Sequence, residues 1–182
     1  EVECLIKLFY NLYTLNLRVP LFPDGFSGNA SFLCAIFKLI YIEKPKYIFE
    51  LGSGQSTLLL NKIQQKLNFS FYITSVENDE SWFQNIIVQL SLKNHDYLYI
   101  PWKQKPFHSK KYYDLPSEIL DSNVYDMIII EVPPRGLAKR SDILHYIKQY
   151  GILTKDFMVL IDDTEKNSEF KTCKTFRAYF AQ

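Results

Sequence analysis

The chain has 182 residues, 47% of them hydrophobic and 23% charged, which suits one globular domain with a sizeable core. A net charge of +1 excludes a global field that would recruit nucleic acid or an anionic membrane. No apolar run reaches the roughly 18 residues of a membrane span, and Cys4, Cys34 and Cys173 are too scattered for a metal pair or a disulfide framework, so a reducing, cytoplasmic setting is expected.

Residues 2–15 carry apolar side chains at Leu5, Leu8, Leu12 and Leu15, the spacing of an amphipathic helix. Val19 to Gly28 holds two prolines and two glycines and reads as a loop. A second helix is expected over about Ala30–Ile42, stopping before Pro45. The chain then alternates. Strand one is Lys46–Leu51 and helix A runs from Thr57 to about Leu67. Strand two is Phe71–Glu77 and helix B runs from about Glu80 to Leu92, capped by Asn78 or Asp79. Strand three is Tyr97–Pro101, followed by an irregular stretch, Trp102 to Asn123. Strand four is Val124–Glu131, strand five Phe157–Asp162, with helices at about 138–149 and 165–180.

Strands four and five, YDMIII and FMVLI, are almost continuously apolar, as strands buried on both faces are. Right-handed crossovers then favour an α/β, doubly wound, mainly parallel five-stranded sheet of order 3-2-1-4-5. Residues 1–45 would cover it and 46–182 would form the core of a single domain.

Ligands in such sheets sit beyond the carboxyl ends of the strands. Here those ends carry Glu50 to Gly54, Glu77-Asn78, Glu131 and Asp162-Asp163, four acidic strand ends on one edge. The stretch YIFELGSGQST, Tyr47 to Thr57, reads as strand, glycine turn and helix start. A dinucleotide fingerprint would need a third glycine where Thr57 stands. Glu77 follows Gly52 by about 25 residues and ends strand two.

Acid-x-Gly-x-Gly with a second acid after strand two resembles the Rossmann-like (class I) S-adenosylmethionine-dependent methyltransferases. The nearest pattern is that of small bacterial members with ELGSGxST, Val-Glu, Asp-Gly-Pro-Pro-Gly and Asp-Asp motifs. This chain has LGSGQST, Val76-Glu77, Glu131-Val132-Pro133-Pro134-Arg135-Gly136 and Asp162-Asp163. The resemblance covers about residues 46–165 and departs most at strand four, where Glu131 and Val132 replace Asp-Gly and Arg135 is extra.

By position, the resemblance implies that Gly52, Ser53, Gly54, Ser56 and Thr57 line S-adenosylmethionine. Glu77, with Asn78 beside it, would bind the ribose. Glu50 would lie near the methionine end, often as a structural acid, and Glu131 would also contact the cofactor. A carboxylate suits a ribose diol because it accepts two hydrogen bonds at once. Magnesium, held in some catechol-type relatives, would fall on Glu131, Asp162 and Asp163, hard oxygen ligands; a helix-capping role for these acids is favoured over the metal. The usual antiparallel hairpin after strand five is expected to be absent, since about 19 residues follow Asp163. The bare sheet edge would suit a homodimer.

The implied activity is methyl transfer to oxygen of a small or saccharide-like acceptor, with Asp162, Asp163 or His108 as base, in that order. Lys103, Lys105, Lys110 and Lys111, helped by Arg135, Lys139 and Arg140, suit an anionic acceptor. The residue after Pro134 is Arg135, so the ring that would stack on a flipped base is missing and a nucleic-acid substrate is disfavoured. Two rivals stand beside this reading. One is a non-catalytic S-adenosylmethionine- or nucleotide-binding module; the other is an NAD-dependent oxidoreductase, which Thr57 and Glu50 disfavour.

Overall fold

The structure, a computed structural model, describes residues 2–19, 28–104, 111–113, 115–117, 119, 124–131, 140, 151–163 and isolated positions 171, 173, 174 and 177. Two helices, α1 (Val2–Thr14) and α2 (Ala30–Glu43), precede the first strand. Asn29 caps α2 by accepting from Phe32 N at 2.9 Å, and Lys44 closes it in the left-handed conformation just before Pro45. Then come β1 (Tyr47–Leu51), α3 (Gln55–Gln64), β2 (Tyr72–Glu77), α4 (Glu80–Ile87) and β3 (His95–Tyr99). β4 (Trp102–Gln104) and β5 (Lys111–Tyr113) follow, then β6 (Tyr125–Ile130) and β7 (Leu153–Ile161).

β3-β2-β1-β6-β7 form one parallel sheet, the 3-2-1-4-5 order expected from the apolar strands. Alternation along β6 shows why the sheet is buried on both sides. Met127 and Ile129 join the cluster under α1, α2 and α3, with Leu8, Leu33, Ile36, Ile40, Leu59 and Ile63. Ile128 and Ile130 face the other way, among Phe49, Leu51, Val76, Tyr113 and Tyr125. Each such side chain contributes about 1.5–3 kcal/mol by leaving water.

The helices after β1 and β2 end three and five residues earlier than expected, at Gln64 and Ile87, and the strands depart from expectation as well. Trp102–Asn123 is not wholly irregular: β4 and β5 pair antiparallel, and Trp102 packs edge-on against Tyr113 at 6.1 Å. β3 starts two residues earlier than expected, because His95 and Asp96 already pair with Ile73 and Thr74. β7 starts at Leu153, where Tyr125 pairs with it across a register shift. The helices expected at about 138–149 and 165–180 fall largely outside the described residues, as does the question of a terminal hairpin. Among the described residues no helix is long and apolar enough to cross a membrane.

Candidate functional site

The C-terminal edge of the sheet is built from the glycine turn outward. Gly52 takes φ 88°, a conformation open to glycine at little cost, and its N–H returns to Val76 O at 3.0 Å. Gly54 is extended, at φ 169°. Its N–H donates to Thr57 Oγ1 at 2.9 Å, and that hydroxyl donates to Glu50 Oε2 at 2.7 Å. The turn is thus tied to the strand that leads into it and to the first turn of α3.

Glu77, at the end of β2, ties the same turn to α4. Its Oε1 accepts from Asn78 N (2.7 Å) and Asp79 N (2.8 Å). Its Oε2 accepts from Ser53 N (3.0 Å) and Ser53 Oγ (2.6 Å). Ser53 Oγ also lies 2.7 Å from Tyr97 OH, and Trp82 Nε1 donates to Ser53 O at 2.8 Å. Asp79 rather than Asn78 caps α4, through Trp82 N at 2.9 Å. Asn78 Oδ1 instead accepts from Tyr113 OH at 3.3 Å, which brings the β4–β5 ribbon against this end of the site.

Glu50 is fully buried, and burial pushes its carboxyl up to about 7, against the easing effect of Ser75, Ser56 and Thr57. Ser75 Oγ donates to Glu50 Oε2 at 2.6 Å and meets His95 Nε2 at 3.0 Å. Asn61 Nδ2 lies 3.0 Å from His95 Nδ1. An amide NH2 can only donate, and the single Ser75 hydrogen already points at Glu50. Hence Nε2 carries the imidazole hydrogen. Burial lowers His95 to about 4, so it is neutral. A string of hydrogen bonds therefore runs from Asn61 through His95, Ser75, Glu50 and Thr57 to Gly54.

Glu131 follows β6, beside Glu50. Burial, then the Glu50 charge, hold its carboxyl well above the usual range. Glu50 Oε1 and Glu131 Oε1 lie buried near the Ser56 hydroxyl, which eases both acids, but no pair among the three oxygens meets hydrogen-bond geometry. Buried acceptors of this kind suit a cationic group that donates hydrogen bonds. Arg140 is buried alongside and donates to the carbonyls of Asp162 and, at 2.6 Å, Glu131. Its Nη2 stands 3.6 Å from Asp163 Oδ2. Asp163 takes φ 62°, so its backbone turns sharply as β7 ends.

Asp162 and Asp163 line a cleft of about 270 Å³ with Asn29, Ser31, Phe32 and Ala35 at the start of α2. A larger groove of about 750 Å³, lined by Lys44, Lys46, Asp126 and Lys155 among others, lies at the opposite end of the sheet, away from the glycine turn. Among the described residues no group of three His, Cys, Asp or Glu side chains is arranged to hold a metal ion.

The structure gathers the residues picked out in the sequence into two groups. Gly52, Ser53, Gly54, Glu77 and Asn78 form one; Glu50, Ser56, Thr57, Glu131, Asp162 and Asp163 the other. His108 lies outside the described residues, as do Lys105, Lys110, Arg135 and Lys139. Sequence reasoning passed over Ser75, Tyr97, Trp82 and Asn61. His95, which the sequence places just before strand three as a structural or surface residue, is buried inside the Glu50 string. The adjacent hydroxyls of Thr74 and Ser75 inside the buried strand β2 were the available signal.

The sequence matches no protein-family profile and no curated protein. Solved structures do match in fold. An O-methyltransferase from Streptomyces achromogenes involved in tomaymycin synthesis, in complex with S-adenosylmethionine, superposes with a TM-score of 0.54 at 15% identity, over 100% of this chain and 78% of that one. An O-methyltransferase from Bacillus cereus, in complex with S-adenosylhomocysteine, gives 0.53 at 12% identity over 98% and 79%. A methyltransferase from Podospora anserina, bound to S-adenosylhomocysteine, gives 0.52 at 17% identity over 88% and 62%. The chain therefore spans under two thirds of the Podospora protein's length and about four fifths of the other two. At these identities the likeness establishes the fold alone, the Rossmann-like sheet that this chain shares with these proteins.

Proposed function

We propose that the protein is an S-adenosylmethionine-dependent methyltransferase that methylates oxygen on a small or saccharide-like acceptor. The observation that carries this reading is the glycine turn clamped to Glu77 at the carboxyl edge of a 3-2-1 parallel half-sheet. The fold shared with methyltransferases that hold S-adenosylmethionine or its demethylated product supports it.

In this reading Glu77 receives the ribose, and the Glu50–Ser56–Glu131 acceptors receive the ammonium of the methionine end. Bound S-adenosylmethionine supplies an electrophilic methyl on sulfur. The chain's own residues align the acceptor with it, exclude water and remove the hydroxyl proton. The Asp162–Asp163 cleft is where the acceptor sits, with Asp162 first and Asp163 second as base. The lysines of β4 and β5 and the stretch between them suit an anionic acceptor.

Calorimetry with S-adenosylhomocysteine and NAD separates the cofactor classes. Micromolar binding of the sulfur ligand is expected, with none of NAD. Glu77→Ala is expected to weaken binding about 100-fold, because it removes a carboxylate that organises several donors at once. Unchanged affinity in that variant, or binding of NAD alone, would sink the assignment. A methyl-release assay over candidate hydroxyl acceptors then separates an enzyme from a binding module.

A further inference from the structure

A carboxylate offers about four lone-pair directions, and Glu77 fills all four from within the protein: Asn78 N and Asp79 N on Oε1, Ser53 N and Ser53 Oγ on Oε2. A ligand hydroxyl can reach Glu77 only by displacing one of them. Three are backbone N–H groups fixed by the glycine turn and the start of α4. Only Ser53 Oγ can leave by rotation about one side-chain bond.

The partner of Ser53 matters next. Its single hydrogen points at the carboxylate, so Tyr97 OH, 2.7 Å away, donates to Ser53 Oγ. Burial raises the Tyr97 phenol, which keeps it a donor at neutral pH. Its ring is stacked on Phe83 at 4.6 Å, so the hydroxyl cannot follow Ser53 when Ser53 turns away. The position left behind then has an acceptor on one side and a donor on the other.

Building on the ribose assignment above, we propose that Ser53 Oγ is an internal placeholder for a ligand hydroxyl, and that Glu77 and Tyr97 together read that hydroxyl once Ser53 swings out. Ser53 and Tyr97 are thus specificity-determining residues with opposite signs. One competes with the ligand and the other greets it.

The test is calorimetric titration of the full chain with S-adenosylhomocysteine, and competition by adenosine and 2′,3′-dideoxyadenosine. Ser53→Ala should tighten S-adenosylhomocysteine about 3- to 10-fold, and Tyr97→Phe should weaken it about 3- to 10-fold, each the worth of one hydrogen bond. Ser53→Thr, which keeps the hydroxyl, should behave as the native chain. Neither Ser53→Ala nor Tyr97→Phe should alter the affinity of the dideoxy nucleoside. Unchanged or weaker binding by Ser53→Ala, while the native chain binds well, overturns this inference alone. If no form of the protein binds S-adenosylhomocysteine or adenosine, the proposed function falls and this inference falls with it.

Discussion

The two halves of the carboxyl edge are built differently. On the β1–β2–β3 side every polar group in the Glu77 clasp has a partner, and the clasp is closed by short bonds between neighbouring strands. Between β1 and β7, Arg140 donates to the backbone carbonyls of Glu131 and Asp162 and faces the Asp163 carboxylate, and Glu50, Ser56 and Glu131 each keep a buried oxygen outside any hydrogen bond. A satisfied clasp positions; an acid-rich, partly unsatisfied cluster is poised to receive charge or a proton. In the proposed function the clasp receives the ribose and the Asp162–Asp163 end supplies the base, and substitutions should separate the two.

The largest effect is expected at the end of β7. Asp162→Asn should lower the rate of methyl transfer about 10²- to 10⁴-fold, the range for loss of a positioned general base, with S-adenosylhomocysteine affinity within about threefold of native. Asp163→Asn should cost less, since Asp163 is engaged with Arg140. Rates within threefold of native in both variants would place the base elsewhere. A loss of affinity equal to the loss of rate would erase the division between the halves.

How much of this was legible in the sequence follows the same division. β6 and β7 announced themselves because burial on both faces demands continuous apolar residues, and the acids ending the strands marked the edge. The partners that make the clasp did not show. Tyr97 and Ser53 are 44 residues apart and meet only because β3 lies beside β2 and β2 beside β1. His95 reads in the sequence as a structural or surface residue, and the parallel register with Ile73 decides for the buried alternative. The β4–β5 ribbon was missed because three-residue strands are too short to show a period of two.

The next effect tests the buried string that links Glu50 to His95. Glu50 goes from an ordinary 4.5 to about 7, so its contribution to stability is complete below pH 4.5 and is lost as pH rises to 7. His95 goes from 6.5 to about 4, so its contribution is complete above pH 6.5 and is lost as pH falls to 4. Between pH 4.5 and 6.5 the two slopes oppose each other, and Glu131, raised like Glu50, acts in the Glu50 direction. Denaturant melts of the native chain should therefore show stability falling as pH rises there, two raised acids against one lowered imidazole. Glu50→Gln, which leaves Glu131 alone against His95, should flatten that dependence. His95→Gln should steepen it, since no opposing slope is left. Parallel curves for all three proteins would mean that the string does not hold these groups in the protonation states inferred from its hydrogen bonds.

The smallest effect is also the most local, and it asks whether a ligand crosses the glycine turn at all. A methyl group on Gly54 would meet Trp82 at 3.9 Å, ordinary contact, and φ 169° is extended backbone open to any residue. No neighbouring atom therefore excludes a Cβ at this position. Gly54→Ala should leave stability within about 1 kcal/mol of native, with any gain coming from a less flexible unfolded chain. If a ligand does pass against the turn, the added methyl intrudes on it and affinity for S-adenosylhomocysteine should fall about tenfold, as overpacking of a fitted contact does. Equal affinity in Gly54→Ala and the native chain would separate the glycine turn from the ligand, and would leave Glu77 as a clasp of the fold rather than a wall of the site.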